Sequence, residues 1–247
     1  MEVKLSEISS RAPKGVKKKA TREEFKVLGE ELSDLHHTLY AQGKHSLLVV
    51  MQGMDASGKD GSTRSVFSHC SPEGINTFAF KKPSSREMAH DFLWRIHQHA
   101  PQKGMVQVFN RSHYEDILIQ RVHEWIPMEK VESRMRSINA WERLLQEDNG
   151  TVVLKFYLHI SNKKQEEKLQ ERIDNPRKHW KHNPADWTER SYWNEYREAY
   201  EYAMNNSEIP WIIVPADQRW YRNYVVMKHV VEAMRKMDLE LPQLSML

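Results

Sequence analysis

Residues 48–61 read LVVMQGMDASGKDG, an apolar run that ends in glycine and passes through Gly58 and Lys59 into a segment of helical pattern. A Gly-x-x-x-x-Gly-Lys stretch between strand and helix commits a chain to an open α/β sheet with this loop at the strand's carboxyl end. The chain has nine glycines, and Gly53, Gly58 and Gly61 fall within nine residues of one another. Glycine lets main-chain N–H groups turn inward around phosphate oxygens, the following helix adds its positive end, and Lys59 supplies a mobile charge. The loop is therefore read as phosphate-binding; the alternative is an ordinary strand-to-helix turn that contains a lysine.

Two carboxylates set this loop apart. Where such loops carry Ser or Thr after Gly-Lys, this one carries Asp60, so the hydroxyl that would ligate magnesium is gone. A second carboxylate, Asp55, lies inside the loop. A carboxylate facing bound phosphates is repelled unless a cation sits between them, so Asp55 is read as a Mg²⁺ ligand or as the group orienting an attacking phosphate oxygen. Asp60, one residue into the helix, also reads as a favourable first-turn anion.

Further along, short β-rich runs at His45–Gln52, Thr77–Phe80, Met105–Phe109, Val152–Ile160 and Trp211–Val214 alternate with helical patterns. A Thr21/Glu24 capping box predicts one long helix to Gly43, and Ser84/Glu87 predicts another carrying Met88, Phe92 and Ile96 on one face. Further helices are expected over about 59–70, around Val131–Leu145, after Ser161, and from Tyr221 to Val231. Strands alternating with helices predict a five-stranded parallel sheet covered on both faces.

The net charge of +3 is unevenly placed. Residues 1–20 hold six Lys or Arg against Glu2 and Glu7, a local +4, which leaves the other 227 residues at −1. The chain is expected to form a basic arm over 1–20, solvated and partly disordered or engaged by a polyanion, and a single domain over 21–247. No apolar run reaches the roughly 18 residues of a membrane helix, so no membrane partner is expected, and the polar start lacks a signal-peptide core. A cytoplasmic location follows as an expectation. The single cysteine, Cys70, allows no internal disulfide and reads as a small buried apolar residue.

Two more clusters carry charge. Asn110-Arg111-Ser112-His113 closes the third predicted strand, with Glu115 and Asp116 opening the next helix. Arg111 suits a bidentate phosphate clamp, or a surface ion pair with Glu115 or Asp116. The segment RIDNPRKHWKHNPADWTER, about 172–190, is basic, proline-broken and interleaved with Trp180 and Trp187. Its two readings are a helical lid that closes on phosphates and a surface loop. His179 and His182 lack the partners and spacing of a zinc site.

Together GMDASGKDG, FKKPSSREMAHDFLWR, FNRSHYED and RIDNPRKHW resemble the family-2 polyphosphate kinases, over most of the chain from about Gly43 to the last helix. Aspartate after Gly-Lys belongs to that family's loop. The resemblance implies a P-loop kinase fold and Mg²⁺-dependent (or Mn²⁺-dependent) reversible phosphoryl transfer between inorganic polyphosphate and nucleotides. It also implies Asp55 and Lys59 as catalytic residues, with Arg111 and Asp116 beside them. Gly53, Met54, Ala56, Ser57, Gly58, Asp60 and Glu115 are the candidates for phosphate and nucleotide binding. Lys81, Lys82, Arg86, Arg121, Arg177 and Lys181 are the candidate cations for polyphosphate. Many members carry Asp-Arg-Ser-Trp where this chain has Asn110-Arg111-Ser112-His113, and the Asn form is similar to the subgroup that accepts nucleoside mono- and diphosphates. A homo-oligomer is expected. An ATP-dependent nucleotide kinase would share loop, Arg111 and lid; a nucleic-acid-binding P-loop protein would use the leader, but the body's charge of −1 argues against it.

Overall fold

The computed structural model describes residues 2–244. Helix α1 (Lys18–Gln42) leads to strand β1 (Ser46–Gln52), the phosphate-loop segment and α2 (Lys59–Phe67). Strand β2 (Ile75–Ala79), the short α3 (Ser85–Met88) and α4 (Trp94–His97), and β3 (Val106–Asn110) follow. Next come α5 (Glu115–Val122), α6 (Met128–Asn149), β4 (Thr151–His159) and α7 (Asn162–Asp174). The chain then forms α8 (Ala185–Arg190), α9 (Trp193–Asn205), β5 (Trp211–Pro215) and α10 (Arg219–Arg235).

The five strands form one sheet in the order β2-β3-β1-β4-β5, every pair parallel. The predicted α/β architecture with a five-stranded parallel sheet is what forms. All seven residues of β1 are buried, as a central strand covered on both faces requires. On one face α10 packs against α1, α2 and β4; on the other, α6 packs on β4 and α5 on both α6 and α9. The core runs the length of the sheet and leaves the strands' carboxyl ends free for the loops after β1, β3 and β4.

Local details differ from the sequence reading. Helix α1 starts at Lys18, three residues before the expected cap, because Thr21 lies inside the helix with its hydroxyl donating to the Lys17 carbonyl at 3.1 Å. The Ser84/Glu87 capping box forms, yet α3 ends after four residues, so Met88 and Ile96 belong to separate helices. Asp91 caps that break, accepting from the Leu93 and Trp94 N–H groups at 3.0 and 3.1 Å. Helix α9 had no counterpart in the reading; aromatic and charged residues obscure its apolar face, which buries Ala199, Tyr200, Ala203 and Met204.

The leader is not a free arm. Leu5 is 1% exposed, the Val3 and Leu5 N–H groups donate to Asn205 and Glu201 at 2.7 Å each, and the His159 ring meets the Ile8 carbonyl at 3.0 Å. Cys70 is half-buried, and burial pushes its thiol up to about 12. Among the described residues no helix is long and apolar enough to cross a membrane.

Candidate active site

The loop between β1 and α2 turns through three left-handed or positive-φ residues, Gly53 (φ 145°), Ala56 (φ 60°) and Gly58 (φ 101°). Gly58 caps α2, and a Cβ there would lie 1.9 Å from the Arg222 guanidinium. At Gly53 a Cβ would meet the Leu158 carbonyl oxygen at 2.8 Å. The loop's carbonyls are tied from behind by three side chains. Gln165 donates to the Asp55 carbonyl at 3.1 Å, Lys168 to Ala56 at 3.2 Å and Arg222 to Ser57 at 3.0 Å. The Lys59 ammonium lies within its own loop, 2.6 Å from the Gly53 carbonyl and 3.3 Å from that of Met54. Burial and the nearby Arg111 push its pKa below the ordinary lysine value.

The end of β3 meets this loop. Asn110, level with Met51 in the sheet, donates its amide to the Asp60 carboxylate. Arg111 adopts φ 62°, donates its N–H to the Met51 carbonyl at 3.0 Å, and its guanidinium reaches Asp55 at 2.7 Å. Glu115 lies 3.8 Å from the same guanidinium. Burial raises the Asp55 carboxyl, but Arg111, Lys59 and Arg172 outweigh it and hold the pKa below the usual carboxylate value.

The segment after α7 stands over the loop. Arg172 pairs with Asp186 and donates to the Lys181 carbonyl at 3.2 Å, while the Lys181 ammonium lies 3.8 Å from Asp60. Between this segment, the loop and α10 lies a cleft of about 980 Å³. Ten Lys and Arg side chains line it against four carboxylates, a balance that suits a polyanion. A second, tighter pocket is lined by Gly53, Met54, Glu115, Glu189, Trp193 and Tyr196; Asp55 and Arg111 border both spaces.

Of the residues proposed from sequence, Asp55, Ala56, Gly58, Lys59, Asp60, Arg111, Arg177 and Lys181 line the cleft. Gly53, Met54 and Glu115 lie at the second pocket, and Ser57 is buried behind the loop. Asp116 does not join them. It is 4% exposed, accepts from Arg95 at 3.2 Å and Gln120 at 2.9 Å, and burial raises its carboxyl, so it stands apart from both spaces. Arg121 stacks over Tyr202 and Arg86 over Trp94, while Lys81 and Lys82 stand exposed beyond β2; none of the four borders the cleft.

Sequence reasoning missed Arg64, Lys168, Arg219 and Arg222, all in the cleft wall. Position was the available signal for three of them: Lys168 sits on the helix after β4, and Arg219 and Arg222 open the helix after β5, at the same edge of the sheet as the loop.

The sequence profile of Polyphosphate kinase 2 matches residues 15–242. The chain is 44% identical over 229 residues to an AMP/ADP-polyphosphate phosphotransferase of Meiothermus ruber, covering 92% of this chain and 85% of that one. It is 40% identical to an ADP-polyphosphate phosphotransferase of Rhodopseudomonas palustris, over 87% of this chain and 79% of the other. The crystal structure of Polyphosphate Kinase 2 from Arthrobacter aurescens TC1 superposes with a TM-score of 0.95 at 36% identity, covering 99% of this chain and 89% of that one. With the loop, the Arg111–Asp55 pair and the cationic cleft in place, the chain belongs to the polyphosphate kinase 2 family.

Proposed function

We propose that this protein transfers a phosphoryl group from inorganic polyphosphate to AMP and ADP, reversibly. The observation that carries the reading is the Arg111–Asp55 pair, which stands between a strongly cationic cleft and a pocket walled by Trp193, Tyr196 and two glutamates. The cleft suits the donor chain, and Trp193, Tyr196, Glu115 and Glu189 beside the pair offer aromatic faces and acceptors for the hydroxyls of a nucleoside, although the pocket that they line, about 30 Å³, is too small to enclose one. The Meiothermus ruber relative is named for both AMP and ADP, which agrees with the Asn110–His113 form of the motif.

In the reaction an oxygen of the acceptor's terminal phosphate attacks the terminal phosphorus of the chain. A new P–O bond forms as the bridging P–O bond breaks, and the donor leaves one unit shorter. No side chain becomes phosphorylated. Lys59, Arg111, Arg177 and Lys181 neutralise the two polyanions so that they can approach in line, and the loop fixes the donor's end against α2. The segment 172–190 acts as a lid that excludes water from the transferred group.

A divalent cation fits the donor set. Among the described residues no group of three or more His, Cys, Asp or Glu side chains converges, so the protein offers chiefly the Asp55 carboxylate. Mg²⁺, or Mn²⁺ in its place, would be held there by Asp55 and would suit such a sparse site, since such ions are commonly bound through one or two carboxylates together with substrate phosphates. When bound it would screen charge on the phosphates.

The deciding experiment incubates purified protein with polyphosphate, Mg²⁺ and each of AMP, ADP, GMP and GDP, without ATP. ADP and ATP should form from the adenine acceptors. Product only when ATP replaces polyphosphate would instead make the protein an ATP-dependent nucleotide kinase.

A further inference from the structure

We propose that the basic leader is a surface track for the distal units of long polyphosphate chains, continuing the cleft beyond its mouth; this rests on the donor assignment above. Arg11, Lys14, Lys17, Lys18 and Lys19 are all exposed, and among the described residues none takes part in an ion pair. Like charges crowded without counter-charges favour an anion among them. The carboxylates that follow are engaged elsewhere: Glu23 lies 3.6 Å from Lys26, and Glu24 accepts from the Tyr224 hydroxyl at 2.8 Å.

The leader is held at Ser10 and Ala12, and the helix that it enters is held at Phe25; both anchors adjoin a wall of the cleft. At one end the Ala12 N–H donates to the Gln218 side chain at 2.9 Å, and the Ser10 carbonyl accepts from the Asp217 N–H at 3.0 Å. Gln218 immediately precedes α10, whose Arg219, Arg222 and Asn223 line the cleft. Beyond the other end, in α1, Phe25 packs edge-on against His69, ring centroids 6.0 Å apart, and His69 follows Ser68 of the cleft wall. Lys14 to Lys19 therefore bridge the start of α10 and the end of α2 along the cleft's flank. Residues 1–20 carry +4 and the remaining residues −1, so this stretch offers a long donor chain positive charge beyond the cleft's own. Hydrogen bonds from Ser10 and Ala12, with Leu5 buried upstream, hold that charge in place and lower the entropic cost of engaging it.

The test replaces Lys14, Lys17, Lys18 and Lys19 together with Gln, and separately with Arg, and compares donors of about a hundred units with tri- and hexaphosphate. For the Gln variant the KM for the long donor should rise several-fold. Its dependence on log salt should become shallower by about 0.7 unit for each phosphate that the leader no longer grips, by analogy with single-stranded nucleic acids. The kcat and the KM for short donors should stay at wild-type values, and the Arg variant should behave as wild type throughout. An unchanged long-chain KM overturns the track, and so does an equal rise for long and short donors, which would locate the effect in the cleft or the fold. Wild-type protein that takes no phosphoryl group from any polyphosphate overturns the donor assignment itself, a separate outcome.

Discussion

The Arg111 guanidinium and the Asp55 carboxylate meet at 2.7 Å where the end of β3 crosses the phosphate loop, with the cleft on one side and the smaller pocket on the other. Asp55 is thereby a charged group set among groups built for phosphate. Asp55→Asn keeps its shape and removes its charge, so kcat should fall on the order of 10²–10³-fold or more while the fold persists. Far-ultraviolet circular dichroism and a magnesium titration of the rate provide the check. Retention of most of the wild-type rate at every magnesium concentration would refute a metal-binding or orienting role.

Glu115 and Asp116 are neighbours in sequence and opposites in setting. Glu115 borders the smaller pocket beside Arg111, whereas Asp116 is tied to Arg95 in the interior. Glu115→Gln should therefore change the ratio of AMP to ADP use with little change in Tm. Asp116→Asn should lower Tm, with a cost of about 3 kcal/mol from an unpaired buried arginine, and leave that ratio alone. A shift in acceptor ratio for Asp116→Asn with Tm intact would reverse these roles.

Behind Arg111 lies a buried charge network. Glu142 accepts from Lys155 at 2.7 Å and from the Tyr114 hydroxyl at 3.0 Å, and it meets the His113 ring at 3.1 Å, with all four side chains at most 1% exposed. Burial raises the Glu142 carboxyl, but His113 and Lys155 outweigh it and hold the pKa below the ordinary value. Since its folded pKa is depressed, Glu142 contributes stability that is present above the unfolded pKa and lost as pH falls through the folded one. Glu142→Gln should cost about 3–5 kcal/mol by stranding the Lys155 charge. The double variant Glu142→Gln/Lys155→Met should recover part of that, measured by urea unfolding at pH 7. A double variant no more stable than the single one would mean that the pair is not the unit that matters.

How much of this was legible in the sequence depended on how local each signal is. The phosphate loop declares itself through glycines, lysine and the strand before it, and Ser84 and Ser161 mark helix starts that do form. Thr21 misled because its helix could begin a turn earlier on lysines alone, with no side-chain cap. Arg222 could not be found by pattern, since its role arises from α10 meeting α2 some 160 residues away in sequence. The placing of Asp116 away from both spaces was hidden for the complementary reason. One step along a helix turns a side chain by about 100°, enough to take it from the smaller pocket, where Glu115 stands, to the interior.

Gly58 and Arg222 depend on each other. A side chain at Gly58 would both occupy the guanidinium's position, at 1.9 Å, and force a left-handed φ of 101° on a residue that disfavours it. Gly58→Ala should raise the polyphosphate KM at least tenfold and cost about 1–3 kcal/mol of stability. Adding Arg222→Ala should relieve the clash without restoring the rate, because the φ strain remains and the tie to the Ser57 carbonyl is gone. Full recovery of the KM in the double variant would show that the guanidinium's bulk alone decides loop geometry.

Lys168 gives the cleft a pH dependence. Burial lowers its pKa first, and repulsion from Arg222, Lys164 and Arg219 lowers it further, to about 8. A polyanion binds the protonated form, so the wild-type KM for polyphosphate should be flat below about pH 8 and climb above it as this cation is lost. Lys168→Arg keeps the charge and should flatten the profile; Lys168→Met should show at pH 7 the weaker binding that wild type reaches at pH 9. Stability runs the other way. The folded pKa lies below the ordinary 10.5, so between those values the unfolded chain holds more protons and this group's contribution to stability grows with pH. Parallel KM and Tm measurements from pH 7 to 9.5 should therefore diverge in wild type, with KM rising while the Tm difference between wild type and Lys168→Arg shifts in favour of wild type. A KM as flat in wild type as in Lys168→Arg would remove Lys168 from the donor site.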